Sequence, residues 1–262
     1  MKKAKSDYLI QSVSRALDIF EAFTPDAGEL GVTELSRRLK LHKNNVFRLL
    51  ATLETRGYVA QDRETGNYRL GMRTFEVASV FLHHLGVAKQ ARAVLEQLAA
   101  DTGETAYLGV LDGPWVICLD AVESSHPVRV VPHVGRPIPA HASALGKVQL
   151  AFRSHEEMET LWRDHPPAAV TPRTVREPER LADELARVAV TELAVEDEVA
   201  ALGVRALAAP VRDYAKRVVA AVGIEGPSHR LPLDRLETDL APRVRTAAHQ
   251  VSQRLGFSAL PS

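Results

Sequence analysis

Asn44 and Arg48 stand four residues apart near the start of a segment, Lys43 to about Arg56, whose apolar stripe is Val46, Leu49, Leu50 and Leu53. Apolar residues at i, i+3, i+4 and i+7 mark one face of an amphipathic helix. At about 100° per residue, Asn44, Arg48 and Thr55 point away from that stripe, and Lys43, Asn45 and Thr52 lie on its flanks. Asn offers a paired donor and acceptor that fit the major-groove edge of adenine, and Arg two donors that fit guanine. Their spacing puts both side chains at the groove floor together. Arg37, Arg38, Lys40, Lys43 and Arg48 fall in a window, Leu35 to Leu53, that contains no acid. Such a basic flank neutralises phosphate, so the chemistry implied is recognition of a double-stranded DNA operator. Thr33, Arg37, Arg63 and Asn67 are the expected phosphate contacts, which fix register without reading sequence. Phe47 projects sideways from the core stripe and is expected to pack against a neighbouring wing.

Other reactive residue types do not assemble into a catalytic pattern. His141 and Ser143 are two apart, and nothing like a nucleophile elbow surrounds Ser143. Gly146-Lys147 ends like a phosphate-binding loop, but Val148 replaces the magnesium-binding hydroxyl and no glycine opens the loop. His126, His133 and His141 lack the tight paired spacing of zinc ligands. The one cysteine, Cys118, lies in Trp-Val-Ile-Cys-Leu, a strand-like context that predicts core packing. No catalytic residue, metal or cofactor is expected. An enzyme is the remote alternative.

The elements that must hold the reading face come next. Val13, Ala16, Leu17 and Phe20 form the stripe of a first helix, with Ser12 as its expected cap, and Pro25 to Gly28 break the chain. Thr33 is the expected N-cap of a short second helix bearing Leu35 and Leu39. A turn at Leu41 and His42 leads into the third helix, which Gly57 closes as a left-handed C-cap. Two short helices, a turn and a longer third helix make a helix-turn-helix. Tyr58 to Ala60, a polar turn from Asp62 to Gly66, and Asn67 to Leu70 supply a wing.

Composition agrees with this division. The chain has 262 residues, room for two modest domains, and its net charge of zero conceals an asymmetry. Residues 1–70 carry twelve Lys/Arg against nine Asp/Glu, a net of +3, and the remainder carries −3. Ser6 and Asp7 stand where a signal peptide would need an apolar core, and no stretch approaches the roughly 18 apolar residues of a membrane span. A soluble cytoplasmic protein, with no membrane partner, is expected.

Ser12-Val-Ser-Arg-Ala-Leu-Asp-Ile-Phe-Glu, Leu41 to Val59 and Tyr68-Arg-Leu-Gly71 resemble the opening helix, recognition helix and wing of the IclR family of bacterial transcriptional regulators. The resemblance continues through Thr102-Gly-Glu-Thr105, the Pro-x-His-Ala-Ser-Ala-x-Gly-Lys pattern within Gly135 to Lys147, and Gly203 with Ala208-Ala-Pro-Val211. Small hydroxylated residues are commoner in that family where Asn44 and Asn45 stand. The implied organisation is a winged helix-turn-helix domain at 9–71, a linker helix at 72–86 and an effector-binding domain at 87–257. The linker implies a homodimer, and pairing of dimers into a homotetramer is common in the family.

The second half reads as helices, then strands, then both again. Met72, Phe75, Ser79 and Leu82 mark one helix, and Val87, Ala91, Val94, Leu95 and Leu98 another. Strands are expected at Ala106 to Leu111, Trp115 to Val122, Val128 to Val134, Arg205 to Arg212 and Val218 to Glu225. Helices are expected at Ala144 to Phe152, Glu156 to Arg163, Glu177 to Thr191 and Leu233 to Leu255. The order suggests an α+β domain around an antiparallel sheet, and the resemblance makes that a GAF- or profilin-like fold that takes a small-molecule effector. Ser143 is the expected N-cap of the Ala144 helix, whose free N–H groups attract small anions, and Gly146 permits close backbone approach. The resemblance places Ser143, Ala144, Leu145 and Gly146 at the effector pocket, with Ile138 nearby and Glu196, Ala206, Gly223 and Glu225 as further lining. Two of these depart from the family: Ala206 stands where cysteine is frequent, and Glu225 where a small or hydroxylated residue is common. Glu225 opposes an acidic effector unless it is neutralised, for instance by Arg205. The alternative is a second domain that serves only oligomerisation or protein contacts.

Overall fold

The computed structural model describes residues 9–24, 26–132 and 134–258, with the backbone alone for 79–85. Pro25 and His133 therefore lie outside the described residues, as do the Ser79 and Leu82 side chains of the expected linker stripe. The chain divides between Leu85 and Gly86 into two compact units.

In the first unit, α1 (Gln11–Glu21), α2 (Val32–Leu39) and α3 (Lys43–Thr55) precede β1 (Val59–Gln61), β2 (Tyr68–Leu70) and α4 (Met72–Leu85). Their core is Ile19, Leu30, Leu35, Val46, Leu50, Val59 and Tyr68. The expected α3 stripe holds, and Gly57 has φ +74° as its capping role requires. The α1 stripe differs. Ile19 is buried, whereas Val13 and Leu17 are each 54% exposed. Neither expected cap forms: Ile10 precedes α1 and Gly31 precedes α2, so Ser12 and Thr33 lie inside the first turns. The start of α2 is set by a tertiary contact, because Leu30 exchanges both backbone hydrogen bonds with Tyr68 at 2.9 Å. That bridge holds Leu30 extended until the residue before the helix.

The second unit begins with α5 (Val87–Thr102), followed by β3 (Thr105–Asp112), β4 (Trp115–Val122) and β5 (Pro137–Pro139). After a one-turn 3₁₀ segment, Ala140–Ala142, come α6 (Ala144–Leu150), α7 (His155–Asp164) and α8 (Pro178–Thr191). Then β6 (Ala194–Asp197), β7 (Val204–Arg212) and β8 (Val218–Pro227) lead to α9 (Leu233–Arg235) and α10 (Ala241–Arg254). The six strands form one antiparallel sheet in the order β5-β4-β3-β8-β7-β6. The α5 stripe is buried as its periodicity predicts, and α5 and α10 pack on one another and on the sheet. On the other face, Ala144, Leu145 and Val148 of α6 meet Tyr107, Ala206, Ala208 and Ala221. Small residues on the strands allow that approach: a Cβ on Gly109 would lie 2.8 Å from Leu145 Cδ1.

Two expectations fail here, and one strand was not expected. Among the described residues of the run Val128 to Val134 there is no strand; Val128, Val131 and Val134 are 64%, 48% and 59% exposed. Pro132 removes a ladder donor from that run and Pro127 stands just before it, and the short β5 takes the place beside β4. The expected continuous last helix is interrupted by a π-helical segment, Leu236–Leu240, that buries Leu236 and Leu240. Strand β6, not foreseen, extends the sheet beyond β7.

Candidate functional site

The first candidate surface is the outer side of α3. His42 Nδ1 accepts the Asn44 amide at 3.4 Å, and the helix carries Lys43, Asn44, Asn45, Arg48 and Thr52, all exposed. Asn45, Arg48 and Thr52 line an open groove of about 700 Å³ whose other wall is α1, while Asn44 lies outside that lining. Thr52 and Thr55 donate to the carbonyls one turn back, at 2.9 and 2.8 Å, which leaves their oxygens only as acceptors. Among the described residues, Lys43 and Arg48 have no acidic partner. Arg38 differs: its guanidinium binds Glu34 at 3.0 and 2.6 Å. Glu34 lies one residue outside the acid-free window, so the basic cluster is smaller than the sequence implies. Phe47 is 55% exposed, and the wing leaves it uncovered.

Thr33, Arg37 and Asn67 come together. With Gly31 and Gly66 they border a second open hollow, about 550 Å³, between the first turn of α2 and the wing. A Cβ on Gly31 would meet Asn67 Oδ1 at 2.9 Å, so glycine allows the wing to close on the helix start. Asp62 shapes the wing turn by accepting the Glu64 and Thr65 amides at 2.9 and 2.8 Å. Arg63 is exposed on that turn, outside the lining of the hollow.

The second candidate site lies between α6 and the sheet. Ser143 caps α6 as expected, its Oγ accepting the Gly146 amide at 3.0 Å. The close approach at Gly146 is internal: an added Cβ would sit 2.2 Å from the Ala140 carbonyl oxygen. Ala144, Leu145 and Ala206 are fully buried and Ile138 packs against the same cluster. Glu196, Ala206 and Glu225 form one cross-strand row over β6, β7 and β8. Paired residues of neighbouring strands point to the same face, so the two carboxylates flank Ala206. Glu196 is 4% exposed and accepts the Ala144 amide at 3.1 Å and the Ala200 amide at 3.3 Å. Burial pushes its carboxyl up to about 7 against those hydrogen bonds and the nearby Lys147 charge. Glu225 has no hydrogen bond or ion pair with a described residue; burial, and then the Glu196 charge, push it up to about 7. Arg205 does not neutralise it. Strand alternation turns Arg205 away from Ala206's face, and its guanidinium binds Asp197 and the carbonyls of Ser228 and Leu231.

Sequence reading missed Tyr107. It is 3% exposed, pairs across the sheet with Gly223, and its ring would lie 3.2 Å from a Cβ on that glycine. Burial, then the Glu225 and Glu196 charges, hold its phenol well above the usual range. Counting the β3 alternation from Thr105 puts Tyr107 on the carboxylate face, but only the β3–β8 register reveals which residues it meets. Cys118 joins the same cluster and its thiol is pushed up to about 12, chiefly by burial, which makes it unreactive. The Lys147 ammonium is 1% exposed and held by Glu184 at 2.6 Å, and His141 Nε2 donates to the Ala168 carbonyl at 2.9 Å.

A winged helix-turn-helix unit followed by an α+β domain is the build of a two-domain transcriptional regulator. Residues 12–63 match the IclR helix-turn-helix domain, and residues 79–253 match the bacterial transcriptional regulator IclR C-terminal domain. The Escherichia coli K12 regulator XynR is 32% identical over 96% of this chain and 99% of its own. The E. coli K12 transcriptional repressor IclR is 32% identical over 94% and 90%. A transcriptional regulator from Rhodococcus sp. RHA1, 28% identical, superimposes with a TM-score of 0.82 over 94% of this chain and 98% of that one. An IclR homologue from Microbacterium hydrocarbonoxydans, solved with 4-hydroxybenzoate, shares the fold at 24% identity, TM-score 0.83, over 94% and 100%. The chain belongs to the IclR family of bacterial transcriptional regulators, whose members carry a DNA-binding helix-turn-helix domain.

Proposed function

We propose that this protein is a cytoplasmic, non-catalytic regulator that binds an operator as a homodimer and responds to a small molecule held in its second unit. In this reading α3 enters the major groove with Asn44 and Arg48 toward base edges and Lys43, Asn45 and Thr52 on the groove walls. Thr33, Arg37 and Asn67 receive a phosphate in the hollow at the start of α2, and Arg63 reaches the backbone from the wing. The observation that carries the DNA half is the exposed α3 face, where Lys43 and Arg48 have no acidic partner among the described residues.

The effector half is a reading of the site between α6 and the sheet, Ile138, Ser143, Ala144, Leu145, Gly146, Glu196, Ala206, Gly223 and Glu225, supported by the half-buried Glu225 carboxylate that faces it. An effector shifts operator affinity only through its different affinities for two arrangements of the protein, typically by about 1 to 3 kcal/mol. Fluorescence anisotropy against DNA from upstream of its own gene and neighbouring operons, with random DNA as competitor, tests the proposal. Binding that survives competitor is expected. Binding equal to that of random DNA, with every upstream region tried, would overturn it.

A further inference from the structure

One aromatic side chain of α3 is held away from the core of its own unit. Phe47 is 55% exposed, while Val46 beside it and Leu50 one turn on are fully buried. Its ring joins no aromatic pair or cation–ring contact with a described residue. The wing meets α3 at other positions. The Gln61 amide donates to Glu54 Oε1 at 3.3 Å, and Val59 and Tyr68 join Val46 and Leu50 in the core.

The place of Phe47 on the helix says what covers it. Asn44, Phe47, Arg48 and Ala51 fall at i, i+3, i+4 and i+7, a stripe on the side opposite Val46, Leu49, Leu50 and Leu53. Ala51 is small, so a surface laid against Asn44 and Arg48 meets the Phe47 ring as well. Lys43 and Arg48, on either side of the ring, have no acidic partner among the described residues. An occupant that suits two cations and a ring on the same turns is anionic at its rim and apolar at one point of its floor. The major groove of DNA offers both, with phosphates along its edges and the C5-methyl of thymine on its floor. A two-fold contact with a second copy through this face would set Lys43 and Arg48 against like charges, which opposes it.

We infer that Phe47 reads sequence: its ring packs on the C5-methyl of a thymine beside the base pairs met by Asn44 and Arg48. Asn and Arg recognise patterns of donors and acceptors, whereas a ring recognises the methyl. Phe47 therefore adds a preference at a position that neither polar side chain specifies. The inference rests on the proposed entry of α3 into the major groove and adds a specificity determinant to it.

Deoxyuridine tests it, because it differs from thymidine only in lacking that methyl. The full chain and its Phe47→Ala, Phe47→Leu and Arg48→Ala variants each select from a random duplex library, and the motifs are compared. Each thymine of the wild-type motif is then replaced singly by deoxyuridine, and binding is read by anisotropy. One thymine in each half-site is expected at which deoxyuridine weakens the wild type about fourfold, the worth of one methyl group withdrawn from water. Phe47→Ala should bind both duplexes equally and select no base there, while keeping the rest of the motif, which separates the loss from a damaged fold. Phe47→Leu, still apolar, should keep part of the discrimination. A wild-type motif without thymine, indifference to deoxyuridine at every thymine, or a penalty that Phe47→Ala retains overturns this inference alone. Sedimentation showing that Phe47→Ala has lost self-association would assign the ring to a contact between copies and overturn it too. If the wild type selects no motif, or Arg48→Ala leaves the motif unaltered, the entry of α3 into the groove fails, and this inference with it.

Discussion

Arg48 and Lys43 share one helix face but are assigned different work, and substitution separates the two. Arg48→Ala is expected to cost roughly 1 to 3 kcal/mol of specific binding and to relax preference at one base position. Lys43→Ala should weaken binding evenly across sequences and lower the slope of log affinity against log salt by about one. Arg38→Ala should change that slope less, because Glu34 already holds its guanidinium. Salt titrations by anisotropy measure all three, and equal, sequence-blind losses would mean the reading face is misplaced. Glu196 and Glu225 give a second residue-scale prediction. Both carboxyls are raised from 4.5 to about 7 in the folded chain. The native state therefore binds more protons than the unfolded state across that window, and stability falls as pH rises through it. The groups facing them are Tyr107, Cys118 and Lys147, and none supplies a free cation, since Glu184 holds Lys147. The melting temperature of the ligand-free chain should drop between about pH 5 and 7.5, and Glu225→Gln should flatten the drop.

At the scale of elements, α6 is the piece that fixes the second site. It is short, all seven of its residues are buried, and its start is tied by Ser143 and Glu196. Ser143→Ala removes the cap and is expected to cost about 1 kcal/mol. Gly146→Ala forces a methyl onto the Ala140 carbonyl, a backbone atom that cannot move aside, so the loss should reach about 3 kcal/mol or more. Denaturant melts of the second unit's transition compare the two. A Gly146→Ala variant as stable as the wild type would show that the 3₁₀ segment and α6 are not packed as described. In the first unit the equivalent piece is the Leu30–Tyr68 bridge, which ties the start of α2 to the wing and so shapes the hollow between Thr33, Arg37 and Asn67.

For the whole molecule, the proposed dimer makes a geometric prediction. Two α3 helices related by a two-fold axis engage half-sites about 34 Å apart, or a multiple of that spacing, so the operator should be an inverted repeat with one-turn periodicity. Footprinting of the protected region, with sedimentation of the free protein, checks both parts; protection without dyad symmetry would count against a symmetric dimer. The exposed apolar residues Val13, Leu17, Met72 and Phe75 of the first unit suit burial between copies better than solvent.

Local periodicity carried much of this in the sequence itself. The α3 stripe with Asn44 and Arg48 opposite, the buried face of α5, the whole of β4 and the Ser143 cap all follow from spacing within one or two helical turns, or from strand alternation. Those signals depend on neighbours along the chain, so they survive without knowledge of the fold. Tertiary structure decided the rest. It rotated α1 to bury Ile19 instead of Val13 and Leu17, moved the start of α2 off Thr33, and left the described residues of the run Val128 to Val134 outside the sheet. It also set Glu196, Ala206 and Glu225 in one row beside Tyr107. Residues that far apart in sequence meet only through strand register, and register is fixed by the pairing of whole strands, which no single segment encodes.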